Sequence, residues 1–181
     1  QKEELIQRNS VEVGHAFKLG TKYTKALDLK FIDKEGKKVF VIMGCYGIGI
    51  GRLMATIVEK NHDKDGIIWP EQIAPFQIHL IQIGNEKNIK KEAEKIYQNL
   101  QKNNFEVLYD DRIKETPGEK LVEADLIGIP YRMVISEKTL RKGVVEIRKR
   151  REKRIKFVKI KELNKFFKVK EQKEKIRNYV R

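Results

Sequence analysis

The segment Gly44–Leu53, GCYGIGIGRL, decides how the rest of the chain is read. The apolar run Val39-Phe40-Val41-Ile42-Met43 precedes it, and Met54-Ala55-Thr56-Ile57-Val58-Glu59-Lys60 follows. A β-rich run that passes through spaced glycines into a helical pattern predicts a strand, a turn and a helix N-terminus. Unpaired N–H groups at such a terminus, together with the helix dipole, favour an anion such as a nucleotide phosphate or a carboxylate. Gly44, Gly47, Gly49 and Gly51 permit left-handed backbone or close approach of a flat ligand. Arg52 adds a permanent charge and a planar fork of donors suited to a polyphosphate. Two familiar phosphate loops do not fit. A P-loop needs Lys and then Ser or Thr after its last glycine, where Arg52 and Leu53 stand; GxGxxG finds Gly47 and Gly49 but meets Arg52 in third place. On the glycines alone, a plain strand-to-helix turn stays open as the alternative.

The 181 residues allow one large domain or two small ones, each able to hold a core. Hydrophobic residues make up 40% and charged residues 36%, a balance that fits a well-solvated protein. No apolar stretch approaches the ~20 residues of a membrane span. The single cysteine, Cys45, rules out an internal disulfide and fits a reducing compartment, and with three scattered histidines it forms no zinc-type spacing. The formal charge of +14 is unevenly placed: Arg141–Arg181 contributes +13 of it. Such a basic end is an electrostatic footprint for a polyanion such as RNA, or a solubilising lysine-rich tail. Arg148, Lys149, Arg150, Arg151, Lys153 and Arg154 are the candidate phosphate contacts.

Along the chain, Val11–Leu19 alternates as a strand, and Leu29–Asp33 with Lys38–Met43 flanks a polar turn as a hairpin. Leu53, Ile57 and Val58 give the next helix an apolar side, which the polar run Asn61–Gly66 ends. Ile67-Ile68-Trp69-Pro70 reads as a short apolar closure. A boundary is expected at Glu71–Pro75, dividing the chain into 1–72 and 73–181. Beyond it, strands are expected at Phe76–Ile83, Phe105–Tyr109, Tyr131–Ser136, Val144–Arg148 and Ile155–Val158. Helices are expected at Glu86–Lys102, from Pro117 to a cap at Gly128, and at Glu162–Val169. Alternation of strands and helices predicts a mixed α/β domain. His79 within its strand reads as structural, and His62 as solvated.

Three stretches, in order, carry a specific resemblance: VEVGHAFKLGTKYTKAL (Val11–Leu27), IMGCYGIGIGRLMATIVEKNHDKDGIIWPEQIAPF (Ile42–Phe76), and YDDR followed by TPGEKLVEADLIGIPYRMVI (Tyr109–Ile135). They resemble the C-terminal part of bacterial-type prolyl-tRNA synthetases. GCYGIGIGR looks like motif 3 of class II aminoacyl-tRNA synthetases, and the Cys-Tyr pair points to the proline enzyme. The resemblance implies an α/β chain: the C-terminal portion of a class II antiparallel-sheet catalytic domain, then a mixed-sheet α/β anticodon-binding domain.

It further implies a cytoplasmic, homodimeric enzyme that joins proline to ATP and then to tRNA-Pro, with Mg2+ accompanying the ATP and no membrane association. Gly47, Gly49, Gly51 and Arg52 would meet ATP, with Arg52 on the triphosphate. His15, Gly44 and Cys45 would border the proline pocket. Asp111, Arg112, Lys114 and Lys120 would read anticodon bases, whose exposed edges suit carboxylates and cations. A capped charged loop is the plain alternative for Asp110-Asp111-Arg112. Motifs 1 and 2 of the class are not found, so a C-terminal fragment, inactive alone, is expected. A non-catalytic RNA-binding module with a relict active-site segment is the rival reading.

Overall fold

A computed structural model describes residues 7–168. The chain divides into two compact units that meet at Glu59 and Lys60.

In the first unit, β1 (Gly14–Gly20) pairs antiparallel with β4 (Met43–Ile48), and a helical turn, α1 (Lys22–Ala26), follows β1. β2 (Lys30–Ile32) and β3 (Lys38–Phe40) form the expected hairpin, closed by Asp33, whose carboxylate accepts from the amides of Glu35 and Lys37. The expected strand Lys38–Met43 is broken at Val41–Ile42, so β3 and β4 belong to different sheets. Buried Thr24 marks that break, donating its hydroxyl to the carbonyl of Val41 at 2.8 Å. α2 (Ile50–Lys60) ends the unit.

The second unit begins with a small hairpin, β5 (His62–Asp63) and β6 (Gly66–Ile67), where a simple helix stop was expected. Asp63 makes the turn by accepting from the amide of Asp65. β7 (Ile78–Gln82), α3 (Lys87–Lys102), β8 (Val107–Asp110), α4 (Pro117–Ile127), β9 (Tyr131–Ile135), α5 (Glu137–Arg141), β10 (Val144–Lys149) and β11 (Ile155–Lys159) follow. They build a five-stranded mixed sheet in the order β11-β10-β9-β7-β8, parallel across β9-β7-β8 and antiparallel across β9-β10-β11. The central strands β7 and β9 are buried along their whole length, as parallel strands covered on both faces should be.

α3 lies on one face through Ile89, Ala93, Ile96 and Leu100, spaced at helical period, against Leu80, Met133, Val145, Ile147 and Val158. α4 covers part of the other face, where Ala124 packs with Ile81 and Val134. Thr116 and Glu119 close a capping box at the start of α4, Pro117 opens it, and Gly128 ends it in left-handed conformation. A stretch at 163–168 is helical and seats Leu163 and Phe167 in the larger core. The last expected helix therefore starts as read, while its final residue lies outside the described residues.

The hairpin residues 61–71 are fastened to the second unit. A Cβ on Gly128 would lie 2.0 Å from the carbonyl oxygen of Ile67, so only glycine lets hairpin and helix meet. Trp69 donates its indole N–H to Ile127, Arg150 makes a two-pronged pair with Asp63, and Lys149 reaches Glu71 at 3.0 Å. Hydrogen bonds from Arg150, then the amide of Asp65 and the charge of Arg150, hold the Asp63 carboxyl well below the usual carboxylate range despite some desolvation. Among the described residues no helix is long and apolar enough to cross a membrane.

Candidate functional site

The glycine-rich segment is mostly strand. β4 runs through Gly44 and Gly47 to Ile48, α2 starts at Ile50, and the turn is Gly49, whose amide donates to the carbonyl of Val13. None of Gly44, Gly47, Gly49 or Gly51 has a positive φ, so left-handed backbone is not why they are glycines. A Cβ at Gly47 or Gly51 would meet nothing within 4 Å, which leaves bare main chain open to a ligand.

Register places His15 opposite Gly47 and Phe17 opposite Cys45, and directly opposed residues share a face. His15, Cys45 and Gly47 thus lie on one side of the β1–β4 ribbon, with the His15 ring stacked flat on Phe17 at 3.9 Å. Gly44 lies in the other row, opposite Lys18. Arg52, in the first turn of α2, donates to the carbonyl oxygen of Glu12 at 2.9 Å and has that residue's carboxylate at 3.7 Å. The same carboxylate meets His15 Nδ1 at 3.2 Å. Glu12 therefore joins the two candidates that sequence reading treated separately. The guanidinium remains 61% exposed, and pairs of this exposure hold weakly enough for a phosphate to displace them.

The second candidate site follows β8. Asp110 is almost wholly buried and takes a two-pronged bond from Arg112, at 3.0 and 2.8 Å, together with Lys120 at 3.3 Å. Burial works against its charge, but the hydrogen bond from Arg112 and the charge of Lys120 prevail and hold its pKa below the ordinary value. Arg112 also bonds Glu123 at 2.6 Å and has Glu115 at 4.0 Å. Its side-chain bonds to Asp110 and Glu123 raise its pKa, so it stays a cation. A cavity of about 290 Å³ opens here, lined by Gln82, Gly84, Asn85, Arg112, Ile113 and Glu115 among others. It sits at the carboxyl ends of parallel strands, where open α/β sheets place ligands. Burial pushes Tyr109 up to about 12, so its hydroxyl stays protonated and donates to Gln82 at 2.6 Å.

The anticodon candidates separate in this geometry. Asp111 and Lys114 are exposed in the loop, and Arg112 faces the cavity. Lys120 differs from expectation: it is 2% exposed and gives its ammonium to the Gln82 carbonyl and Asp110, so it braces the loop. The basic run differs as well. Arg148 pairs with Asp125, Arg150 with Asp63, Lys149 with Glu71, and Arg151 bonds Asn61. Lys153 and Arg154 are the exposed remainder of that set. Sequence reading missed Glu12, Glu115 and Glu123; the three-residue spacing from Glu12 to His15 was the one available signal. Among the described residues no three His, Cys, Asp or Glu side chains come together to hold a metal ion.

Both parts of the chain match known families. Residues 73–170 match the family described as "Anticodon binding domain", and residues 4–61 match "tRNA synthetase class II core domain (G, H, P, S and T)". The chain belongs to the anticodon-binding-domain family of the class II synthetases and carries part of a class II core ahead of that domain. Its relatives are, more narrowly, proline enzymes. It is 48% identical over 153 residues to the proline–tRNA ligase of Endomicrobium trichonymphae, covering 84% of this chain and 27% of that protein. To the proline–tRNA ligase of Persephonella marina it is 46% identical over 166 residues, 91% and 29% of the two chains. To that of Geobacter sp. (strain M21) it is 52% identical over 142 residues, 78% and 25%. The sequence resemblance and the α/β class are thereby borne out, and the chain spans under a third of the length of these relatives.

Proposed function

We propose that this chain is the motif 3 and anticodon-binding part of a proline–tRNA ligase, an ATP-dependent, homodimeric, cytoplasmic enzyme. The observation that carries the reading is Arg52 in the first turn of α2, beside open glycine backbone and tied loosely to Glu12, whose carboxylate also meets His15. In the first step a carboxylate oxygen of proline attacks the α-phosphorus of ATP and pyrophosphate leaves, giving prolyl-adenylate. Arg52 exchanges its bond to Glu12 for phosphate oxygens and stabilises the charge that builds on the departing pyrophosphate. Gly47 and Gly51 let the nucleotide lie against the main chain, and His15 and Cys45 border the amino acid, with Gly44 behind. In the second step a hydroxyl of the terminal ribose of tRNA-Pro attacks the prolyl carbonyl carbon of the adenylate, its bond to the phosphate oxygen breaks, and AMP leaves. The loop bearing Asp111, Arg112 and Lys114 contacts the anticodon, with Lys120 bracing it from below. Mg2+ would accompany ATP and neutralise phosphate charge, with no residue of this chain assigned to hold it.

Catalysis in this reading needs motifs 1 and 2 in addition to these 181 residues. Proline-dependent pyrophosphate exchange is therefore expected from the whole ligase and not from this chain alone; ordinary turnover by the 181 residues would overturn that division. In tRNA binding, Arg112→Ala should weaken affinity for an anticodon stem-loop by about 1–3 kcal/mol, while Arg52→Ala leaves it unchanged. If neither matters, the anticodon assignment is wrong. The rival, an RNA-binding module with a relict first unit, has one observation in its favour: among the described residues, the buried apolar side chains all lie in the second unit. An open reading frame that starts near Gln1 would decide for it.

A further inference from the structure

β10 and β11 leave part of the sheet bare. Val145, Ile147 and Val158 point into the core under α3, so strand alternation puts Glu146, Arg148, Ile155 and Phe157 on the opposite face. α4 covers that face over β7 and β9, and its Asp125 reaches Arg148 on β10. Phe157, on the edge strand, is 65% exposed, and Ile155 beside it 43%. Edge strands are commonly defended by lysine, and Lys156 and Lys159 serve that purpose here. Defence of an edge gives no reason for a solvated phenyl ring between them.

The charges around the ring supply one. Lys159 lies two residues along on the same face, and Lys153 and Arg154 are exposed just before the strand begins. The acidic neighbour, Glu146, stands directly opposite Phe157, but Arg132 lies 4.0 Å from it and offsets its charge. Arg148, opposite Ile155, is taken up by Asp125. An open aromatic face between cations is the arrangement that stacks an unpaired base and holds its flanking phosphates. A protein partner of acidic character would satisfy the lysines but has no specific use for the ring.

We propose that the β10–β11 face is a second RNA-binding surface, on which Phe157 stacks one unpaired base while Lys159 and Arg154 hold the adjoining phosphates. It is independent of the anticodon loop and takes any unpaired segment. Phe157, Glu146, Val134, Ile81 and Asp110 share one row across the sheet, so the ring lies about 19 Å from Asp110 at the ordinary strand spacing of ~4.8 Å. The same RNA can reach both places.

The test uses the full 181-residue chain and a 12-nucleotide single-stranded RNA carrying one 2-aminopurine, with the same sequence as a blunt duplex for comparison. Phe157→Ala should weaken single-strand binding roughly 5- to 100-fold and abolish the stacking-induced quenching, while Phe157→Trp retains both. The salt dependence should be unchanged in Phe157→Ala and reduced by about 0.7 in log–log slope in Lys159→Gln. Thermal melts confirm that each variant is folded, as expected for exposed positions. Unchanged affinity in Phe157→Ala, or an equal loss on the duplex, would overturn the proposal. So would a change of oligomeric state with RNA affinity intact, since a second copy would then be the occupant. Arg112→Ala keeps the two readings apart: its loss is confined to the anticodon stem-loop.

Discussion

The two units spend their apolar residues in opposite ways. In the second, Ile78, Leu80, Leu100, Met133 and Ile147 are sealed between sheet and α3. In the first, no apolar side chain is buried among the described residues; Tyr46 is 86% exposed, and Ile48, Ile50, Phe17 and Met54 are exposed as well. A two-stranded ribbon cannot seal its own faces, and apolar surface on this scale marks a place of association. Stability and chemistry are therefore expected to reside in different units.

Core substitutions test that division most severely. Leu80→Ala or Leu100→Ala, each fully buried, should cost about 2–5 kcal/mol in urea denaturation. Ile48→Ala, an equally large loss of side chain, should stay within about 0.5 kcal/mol. Equal costs would show that the first unit has a core of its own.

A second test uses pH and reads only the second unit. Burial draws His79 down to about 4, with Asp110 opposing the shift and Arg112 and Arg132 adding to it. Its Nδ1 has no hydrogen-bond partner among the described residues. The unfolded chain takes up this proton near pH 6.5, before the folded chain does. The stability due to neutral His79 is therefore complete above pH 6.5 and lost as pH falls toward 4, by on the order of 3 kcal/mol. Asp110, held below its ordinary range, titrates beneath this window. Urea midpoints between pH 4.5 and 7 should slope in wild type and flatten in His79→Gln; a slope that survives assigns the effect elsewhere.

A smaller loss is expected at the junction of hairpin and helix. Gly128→Ala puts a Cβ into left-handed backbone against Ile67, costing at least about 1–2 kcal/mol and freeing residues 61–71 to proteolysis. An uncleaved variant would mean that the ion pairs of Asp63 and Glu71 suffice to hold the hairpin.

What sequence could disclose follows the same division. α3 was legible because Ile89, Ala93, Ile96 and Leu100 repeat at helical spacing and all meet one core. α4 was legible because Pro117 and Gly128 signal its ends locally. The break between β3 and β4 was not, since it depends on Thr24 reaching Val41 from seventeen residues away. Lys120 read as an exposed cation because its partners, Asp110 and the Gln82 carbonyl, are brought to it only by the sheet. Arg148, Lys149 and Arg150 misled for the same reason: composition counts charges but not the acids folded against them. Arg52 was visible from its glycine context, whereas Glu12, forty residues earlier, was not.

Arg52 gives the smallest expected change in stability and so the sharpest form of the comparison. Its bonds to Glu12 are solvent-exposed, and pairs of that kind contribute about 0–1 kcal/mol. Arg52→Ala should leave the urea midpoint of this chain nearly unmoved. Introduced into a whole proline–tRNA ligase, the same change would, on the proposed role of Arg52, remove donors to the departing pyrophosphate, where one such group is worth roughly 100- to 1,000-fold in rate. Exchange of pyrophosphate should fall by that factor while melting stays constant. A fall in stability comparable to that of Leu80→Ala would make Arg52 a structural residue, and the first unit would then hold itself together through the very contacts assigned here to the ligand.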